Sequence, residues 1–312
     1  GNRMNSVQPS LSLAEKVTLQ LRGLYERYSY KKYQVAQFEE YAFYMQFKSF
    51  LSEGRMLSFT DLDGRLLALK PDVTLSIAKN VRLDDGAEKV YYIENVYRES
   101  TASGSMKEIN QMGLEYIGAP AAYAQAEVLS LAADTLDISG EDYILEVSHM
   151  GFMQALFDAL NLQIEARNSI RKALEAKSMH AVLNAASNAG IKGIGLRILG
   201  DLTTLSGKFD KTLSEANKLC LNGQMSAALD ELRDIVISAE KSECVHIDFT
   251  QQGDLEYYDG LLMTGYIKGA PRAVLSGGRY DGLMKKLGKE APACGFALYL
   301  DELNRISGQN EA

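Results

Sequence analysis

Gln111 and Glu115 stand four residues apart in a stretch, 109–117, where apolar and polar residues interleave as in a β-strand. A strand has a period of two, so both side chains point to the same face. An amide and a carboxylate on one face, with Arg98 just past the β-branched and aromatic run 90–97, could line a small polar pocket. The same three residues equally suit a solvated sheet face, and their spacing alone does not separate the two. A second polar group lies at Lys70-Pro71-Asp72. Proline disfavours helix in the residue before it and suits a first helical turn. A helix is therefore expected over 73–80, with Asp72 and Thr74 at a strand-to-helix junction.

The elements that must position these residues follow from pattern. Runs 90–97 and 109–117 read as two strands joined by a small polar loop, 99–107, that contains Gly104. Upstream, Ser12 and Glu15 form a capping box, and Leu13, Val17, Leu21, Leu24 and Tyr28 follow at helical spacing. A strand is expected over 33–38, and a hairpin over 59–69 with Asp63-Gly64 as a type I′ turn. Downstream come helices at 121–136 and 152–160 around a strand at 143–147. Residues 163–241 are rich in Ala, Leu, Lys and Glu, carry no recognisable strand and are punctuated by glycine, which predicts a helical insertion. Its plainest role is packing or an interface. Strands resume at 244–249, 260–267, 273–275 and 293–298, and a last helix covers 299–306. Strands in hairpins rather than strict βαβ alternation predict an α+β fold with a mainly antiparallel sheet flanked by helices. The implied division is a core in two parts, 1–162 and 242–312, interrupted by the insertion.

Composition narrows the functions available. The 312 residues carry a net charge of −8, which argues against broad electrostatic binding to nucleic acid or anionic membrane. No apolar run approaches the roughly 20 residues of a membrane span. The first ten residues lack the apolar core of a signal peptide and resemble an expression remnant. Cys220, Cys244 and Cys294 are scattered and odd in number, without metal spacing or a disulfide framework, which predicts a cytoplasmic protein. His149, His180 and His246 are equally dispersed and read as structural. The common nucleotide-binding, serine-hydrolase and zinc-protease signatures are missing, and no metal or cofactor is implied.

Four separated pieces carry a resemblance: LALKPDVT (67–74), VYR with INQMGLEYIG (96–98 and 109–118), LEYYDG (255–260), and SGGRYDGL with PACGFALYLDEL (276–283 and 292–303). In this order they resemble the catalytic core of class II histidyl-tRNA synthetases. They look still more like the regulatory subunit of the two-component ATP phosphoribosyltransferase, a catalytically silent paralogue of that synthetase. The resemblance covers most of 11–306 and is weakest in the insertion. It implies a class II synthetase-like core and a pocket for histidine, whose ammonium, carboxylate and imidazole must each be paired in a closed site. By family analogy Asp72, Thr74 and Gln111 hold the α-ammonium. Glu115 and Tyr258 face the imidazole nitrogens, with Tyr257 beside them, and Arg98 reaches the carboxylate. Charge-assisted bonds of this kind contribute roughly 1.5–3 kcal/mol each.

The departures from the synthetase pattern are as informative. The third class II motif has an arginine that clamps the triphosphate, and here Glu302 stands in its place. Tyr299 stands where the synthetases keep a glycine that leaves room for adenine. An anion beside polyphosphate turns attraction into repulsion. The second-motif loop, 100–105, contains no basic residue, and only Lys107 lies near. The arginine before the tyrosine pair aligns with Gly253 or Gln252, so the positive charge wanted at a reacting phosphate is missing. The first-motif proline is replaced near Gln37, and the sequence ends at Ala312, just past the third motif, without an anticodon-binding domain. The resemblance thus implies a non-catalytic regulatory subunit of histidine biosynthesis that takes histidine as feedback effector. Its expected partners are a short-form catalytic subunit, in a hetero-octamer, and a second copy of itself as a dimer, with no tRNA and no membrane. The same residues leave two rivals: an amino-acid-activating enzyme, and a stand-alone histidine sensor.

Overall fold

The Ser12 capping box forms as its spacing predicts. The Ser12 hydroxyl accepts from the Glu15 amide, while the Glu15 carboxylate accepts from the Ser12 amide, opening α1 (Leu13–Arg27). The computed structural model describes residues 10–51, 54–251 and 257–306. After α1 come β1 (Lys31–Lys32), β2 (Phe38–Glu40), α2 (Tyr41–Gln46), β3 (Ser58–Thr60), β4 (Leu66–Leu69) and α3 (Val73–Asn80). The long pair β5 (Glu88–Glu99) and β6 (Met106–Ile117) leads to α4 (Ala121–Asp137), β7 (Tyr143–His149) and α5 (Met150–Ala159). There follow α6 (Ile164–Glu175), α7 (Met179–Asn188), α8 (Gly193–Leu202), β8 (Ser206–Lys208), α9 (Phe209–Asn217) and α10 (Gly223–Ser238), in the stretch expected to be an insertion. The chain closes with β9 (Val245–Asp248), β10 (Leu261–Ile267), β11 (Leu275–Arg279), α11 (Asp281–Lys286), β12 (Ala293–Tyr299) and α12 (Leu300–Ile306).

Nine strands form one sheet in the order β1-β5-β6-β12-β11-β10-β7-β9-β8, and β2-β4-β3 form a second, small sheet. The large sheet is mixed, so the expectation of a mainly antiparallel sheet is met only in part. Most neighbours are antiparallel, but β1 runs parallel to β5 and β7 parallel to β9. Period two divides its faces. On one, Met112, Leu114, Phe296 and Leu298 are buried in the main core with α4 and the insertion helices. The opposite face of β6 and β12 presents Gln111, Gly113 and Glu115 opposite Tyr299, Ala297 and Gly295, and this face carries the site.

Several expectations are corrected. Residues 33–37 are not a strand, because their polar backbone groups are taken elsewhere: Val35 donates to the buried Glu94 carboxylate, and the Gln37 carbonyl accepts from the Lys70 amide. The hairpin at 59–69 forms, but its turn is not type I′. Gly64 closes on the Asp61 carbonyl with φ +81°, whereas Asp63 keeps a negative φ, so the connection is a five-residue loop. The insertion is not purely helical: β8 pairs antiparallel with β9 and ends the sheet. The strand expected at 273–275 lies instead at Leu275–Arg279, running through two glycines. A side chain at Gly278 would collide with the Leu261 carbonyl and the Tyr258 ring, so close backbone approach explains glycine inside this strand. The short helices α2 and α11 had no periodic signal long enough to find. The replaced arginine position at Gln252 or Gly253, and the first residues of LEYYDG, lie outside the described residues.

Candidate functional site

Asp72 caps α3, accepting from the Leu75 amide at 2.7 Å, and this fixes the first turn so that Thr74 projects over β6. The Thr74 hydroxyl donates to Glu115 Oε1 at 2.7 Å, and the Tyr280 hydroxyl donates to Glu115 Oε2 at 2.6 Å. Glu115 is 1% exposed. The floor around it is made of small residues: Gly113, Gly295 and Ala297 leave the depth that a side chain would fill. At Gly295 the need is strict, since any Cβ would strike the Glu115 carboxylate.

A cavity of about 50 Å³ lies above this floor, and all seven residues singled out from sequence line it: Asp72, Thr74, Arg98, Gln111, Glu115, Tyr257 and Tyr258. They come from four distant stretches, namely the head of α3, the end of β5, the face of β6 and the segment leading into β10. Sequence reasoning did not assign Tyr92, Ser276 or Tyr280, which line it too, and Tyr299, singled out only for filling the adenine space, joins them. Tyr280 sat in a quoted motif, SGGRYDGL, but nothing local connects it with a carboxylate 165 residues away. Tyr92 was findable: it faces Gly113 across the β5–β6 pair, on the face that carries Glu115.

The groups of the cavity partly satisfy one another. The Tyr257 hydroxyl donates to Asp72 at 3.3 Å, the Arg98 guanidinium lies 3.8 Å from the Asp72 carboxylate, and Arg98 Nε donates to the Pro71 carbonyl at 2.8 Å. Burial pushes the Glu115 carboxyl up to about 8, against the hydrogen bonds of Thr74 and Tyr280, and the Asp72 charge adds to the rise. Asp72 is raised as well, by burial first, with Arg98 acting in the opposite direction. Burial also lifts the phenols of Tyr92, Tyr257, Tyr258 and Tyr280 well above their ordinary range, leaving them neutral hydrogen-bonding groups. Two carboxyls against one guanidinium favour a ligand with a cationic group, and ringed hydroxyls favour one with further polar atoms. Among the described residues no cluster of three or more His, Cys, Asp or Glu side chains could hold a metal ion.

Beyond Arg98 and Tyr299 a larger cavity of about 720 Å³ opens, and Glu302 lies in its wall with Arg305 at 3.6 Å. A carboxylate at that point opposes a bound polyphosphate. In the β5–β6 loop residues 101–105 are exposed, and 100–105 carry no basic side chain.

Comparison with known proteins bears on the family and the fold. The sequence profile of the family described as histidyl-tRNA synthetase matches residues 6–303. A relative named ATP phosphoribosyltransferase regulatory subunit, from Caldanaerobacter subterraneus subsp. tengcongensis, is 32% identical over 289 residues, covering 90% of this chain and 75% of its own. A structure from Bacillus halodurans, described as an ATP phosphoribosyltransferase regulatory subunit/histidyl-tRNA synthetase, superposes with a TM-score of 0.82 at 24% identity, covering 98% of this chain and 83% of that one. An ATP phosphoribosyl transferase complex from Thermotoga maritima superposes with a TM-score of 0.71 at 18% identity, covering 92% and 97%. At these identities the two structures speak for the fold. No helix among the described residues is long and apolar enough to cross a membrane.

Proposed function

This chain belongs to the histidyl-tRNA synthetase family and, within it, to the ATP phosphoribosyltransferase regulatory subunits, and on that premise we propose that histidine in the Glu115 cavity sets the activity of its catalytic partner. The chain is the non-catalytic member of the pair and serves histidine biosynthesis. The observation that carries the histidine reading is the convergence of seven residues from four distant stretches on one buried polar cavity.

In this reading Asp72, Thr74 and Gln111 take the α-ammonium, Arg98 the carboxylate, and Glu115 and Tyr258 the imidazole, with Tyr257 alongside. Tyr280 joins them as the group that orients Glu115. Binding exchanges internal contacts for ligand contacts, and the weakest of these are at hand. The 3.3 Å bond of Tyr257 to Asp72 and the 3.8 Å approach of Arg98 to Asp72 are long enough to yield to an ammonium and a carboxylate. Histidine regulates only if it binds the active and inhibited arrangements of the complex with different affinity. The partner is a short-form catalytic subunit in a hetero-octamer within the cytoplasm, in which two regulatory chains pair as a dimer. Exposed Phe38 and Phe59, packed edge to face on the small sheet beside exposed Leu57, support such self-association.

The pocket is tested by thermal unfolding. Histidine at 100 times its dissociation constant stabilises the fold by about 2.7 kcal/mol, and the Asp72→Asn variant loses that gain. Equal upward shifts in wild type and variant would place the ligand elsewhere.

A further inference from the structure

Arg98 and Tyr299 are the two residues that line both the 50 Å³ cavity and its 720 Å³ neighbour. Each is pinned. The Tyr299 hydroxyl shares a 2.6 Å hydrogen bond with the Ser276 hydroxyl, and the Tyr299 amide donates to the Val274 carbonyl at 2.8 Å. Arg98 Nε donates to the Pro71 carbonyl at 2.8 Å. The ring of Tyr299 and the guanidinium of Arg98 therefore form a partition between a closed polar chamber and a roomy, open one with charges of both signs.

The geometry points to Tyr299, held by Ser276, as the residue that restricts this site to amino acids with a free carboxylate. The inference rests on the histidine reading of the smaller cavity. There the ligand's carboxylate meets Arg98, at the partition itself. Any substituent carried on that carboxylate, whether ester, amide or mixed anhydride, points through the partition into the larger cavity. A small substituent costs the charge that Arg98 pairs with. A large one must in addition displace the Tyr299 ring and break its bond to Ser276. Without the ring the two cavities merge, and the room for such a substituent already exists on the far side. The device suits a sensor of the free end-product, because activated or esterified forms of the same amino acid do not register.

Calorimetric titration with three probes separates charge from bulk: L-histidine, L-histidinamide and L-histidine benzyl ester. Wild type binds histidine, binds the amide more weakly, and binds the benzyl ester at least tenfold more weakly than the amide. Tyr299→Ala keeps its histidine affinity within about fivefold and binds the benzyl ester as tightly as the amide. Ser276→Ala, which leaves the ring in place and removes only its anchor, gains several-fold for the ester. Wild type that binds ester and amide equally overturns the inference, as does Tyr299→Ala that binds histidine and still rejects the ester. Absence of histidine binding to wild type overturns the histidine reading and the partition with it, so the two failures are distinguishable.

Discussion

Glu115→Gln should make the unliganded protein more stable while removing its response to histidine. The wild-type carboxyl titrates near 8 in the fold, against an ordinary value of 4.5, because burial penalises its charged form. For an acid raised in this way, the native state holds a proton that the unfolded chain releases. Stability therefore falls as pH rises from 4.5 towards 8, by about 1.4 kcal/mol per pH unit for this group. The accumulated cost is about 3 kcal/mol at pH 7 and about 5 kcal/mol above pH 8, both upper values for a fully buried group. Glutamine has nearly the shape of the protonated acid and no charge to desolvate, and its amide can still meet the Thr74 and Tyr280 hydroxyls, at a loss of about 1 kcal/mol if one bond is imperfect. Urea unfolding of both proteins at pH 5, 6, 7 and 8 isolates the effect, since other titrating groups are common to the two. The variant should be comparable to wild type near pH 5 and more stable by about 2 kcal/mol at pH 7, with the gap still widening at pH 8. Stabilities that run parallel over this range would mean that Glu115 is already ionised in the fold, and the burial reasoning would fail.

Two other charged pairs make sharp predictions. Lys70, 0% exposed, donates to Glu94 at 2.9 Å and to Gln37 at 3.0 Å, so Lys70→Met leaves the Glu94 charge buried and should cost about 3–5 kcal/mol in urea unfolding. Adding Glu94→Gln should recover more than half of that loss, and no recovery would mean the pair matters only by shape. His149 Nδ1 accepts from the Gly151 amide, so Nε2 carries the proton given to Glu231 at 2.6 Å. That bond, with Gln125 and Arg279 assisting, holds the Glu231 carboxyl at about 2. A depressed acid stabilises above its unfolded value and loses this as pH falls from 4.5 towards 2. With a third of the side chain exposed, Glu231→Gln should cost about 1–2 kcal/mol at pH 7 and about a quarter of that near pH 2.5. A gap that is independent of pH would remove the charge from the explanation.

The face of β6 was legible because a period of two is enough to place Gln111 and Glu115 side by side. The head of α3 was legible for a similar reason, since Lys70-Pro71-Asp72 announces both a break and a cap. The pairing of β6 with β12 was not, because it joins residues some 180 apart through a register that no local pattern encodes. Tyr280, Ser276 and the role of Gly295 depend on that register and stayed hidden with it. Residues 33–37 misled for the opposite reason. Their composition favours a strand, but buried Glu94 and Lys70 bind their backbone first. In β8 the strand is three residues, Ser-Gly-Lys, and only its neighbour β9 makes it one.

Regulation of a catalytic partner through this pocket has a direct readout. The direct measurement is the rate of ATP phosphoribosyltransferase turnover by the short catalytic subunit, with and without this chain, over a titration of histidine. The expected result is low activity alone, higher activity with the chain, and inhibition by histidine that Asp72→Asn abolishes while activation survives. A transferase equally active without the chain, or inhibited by histidine identically with wild type and variant, would contradict it.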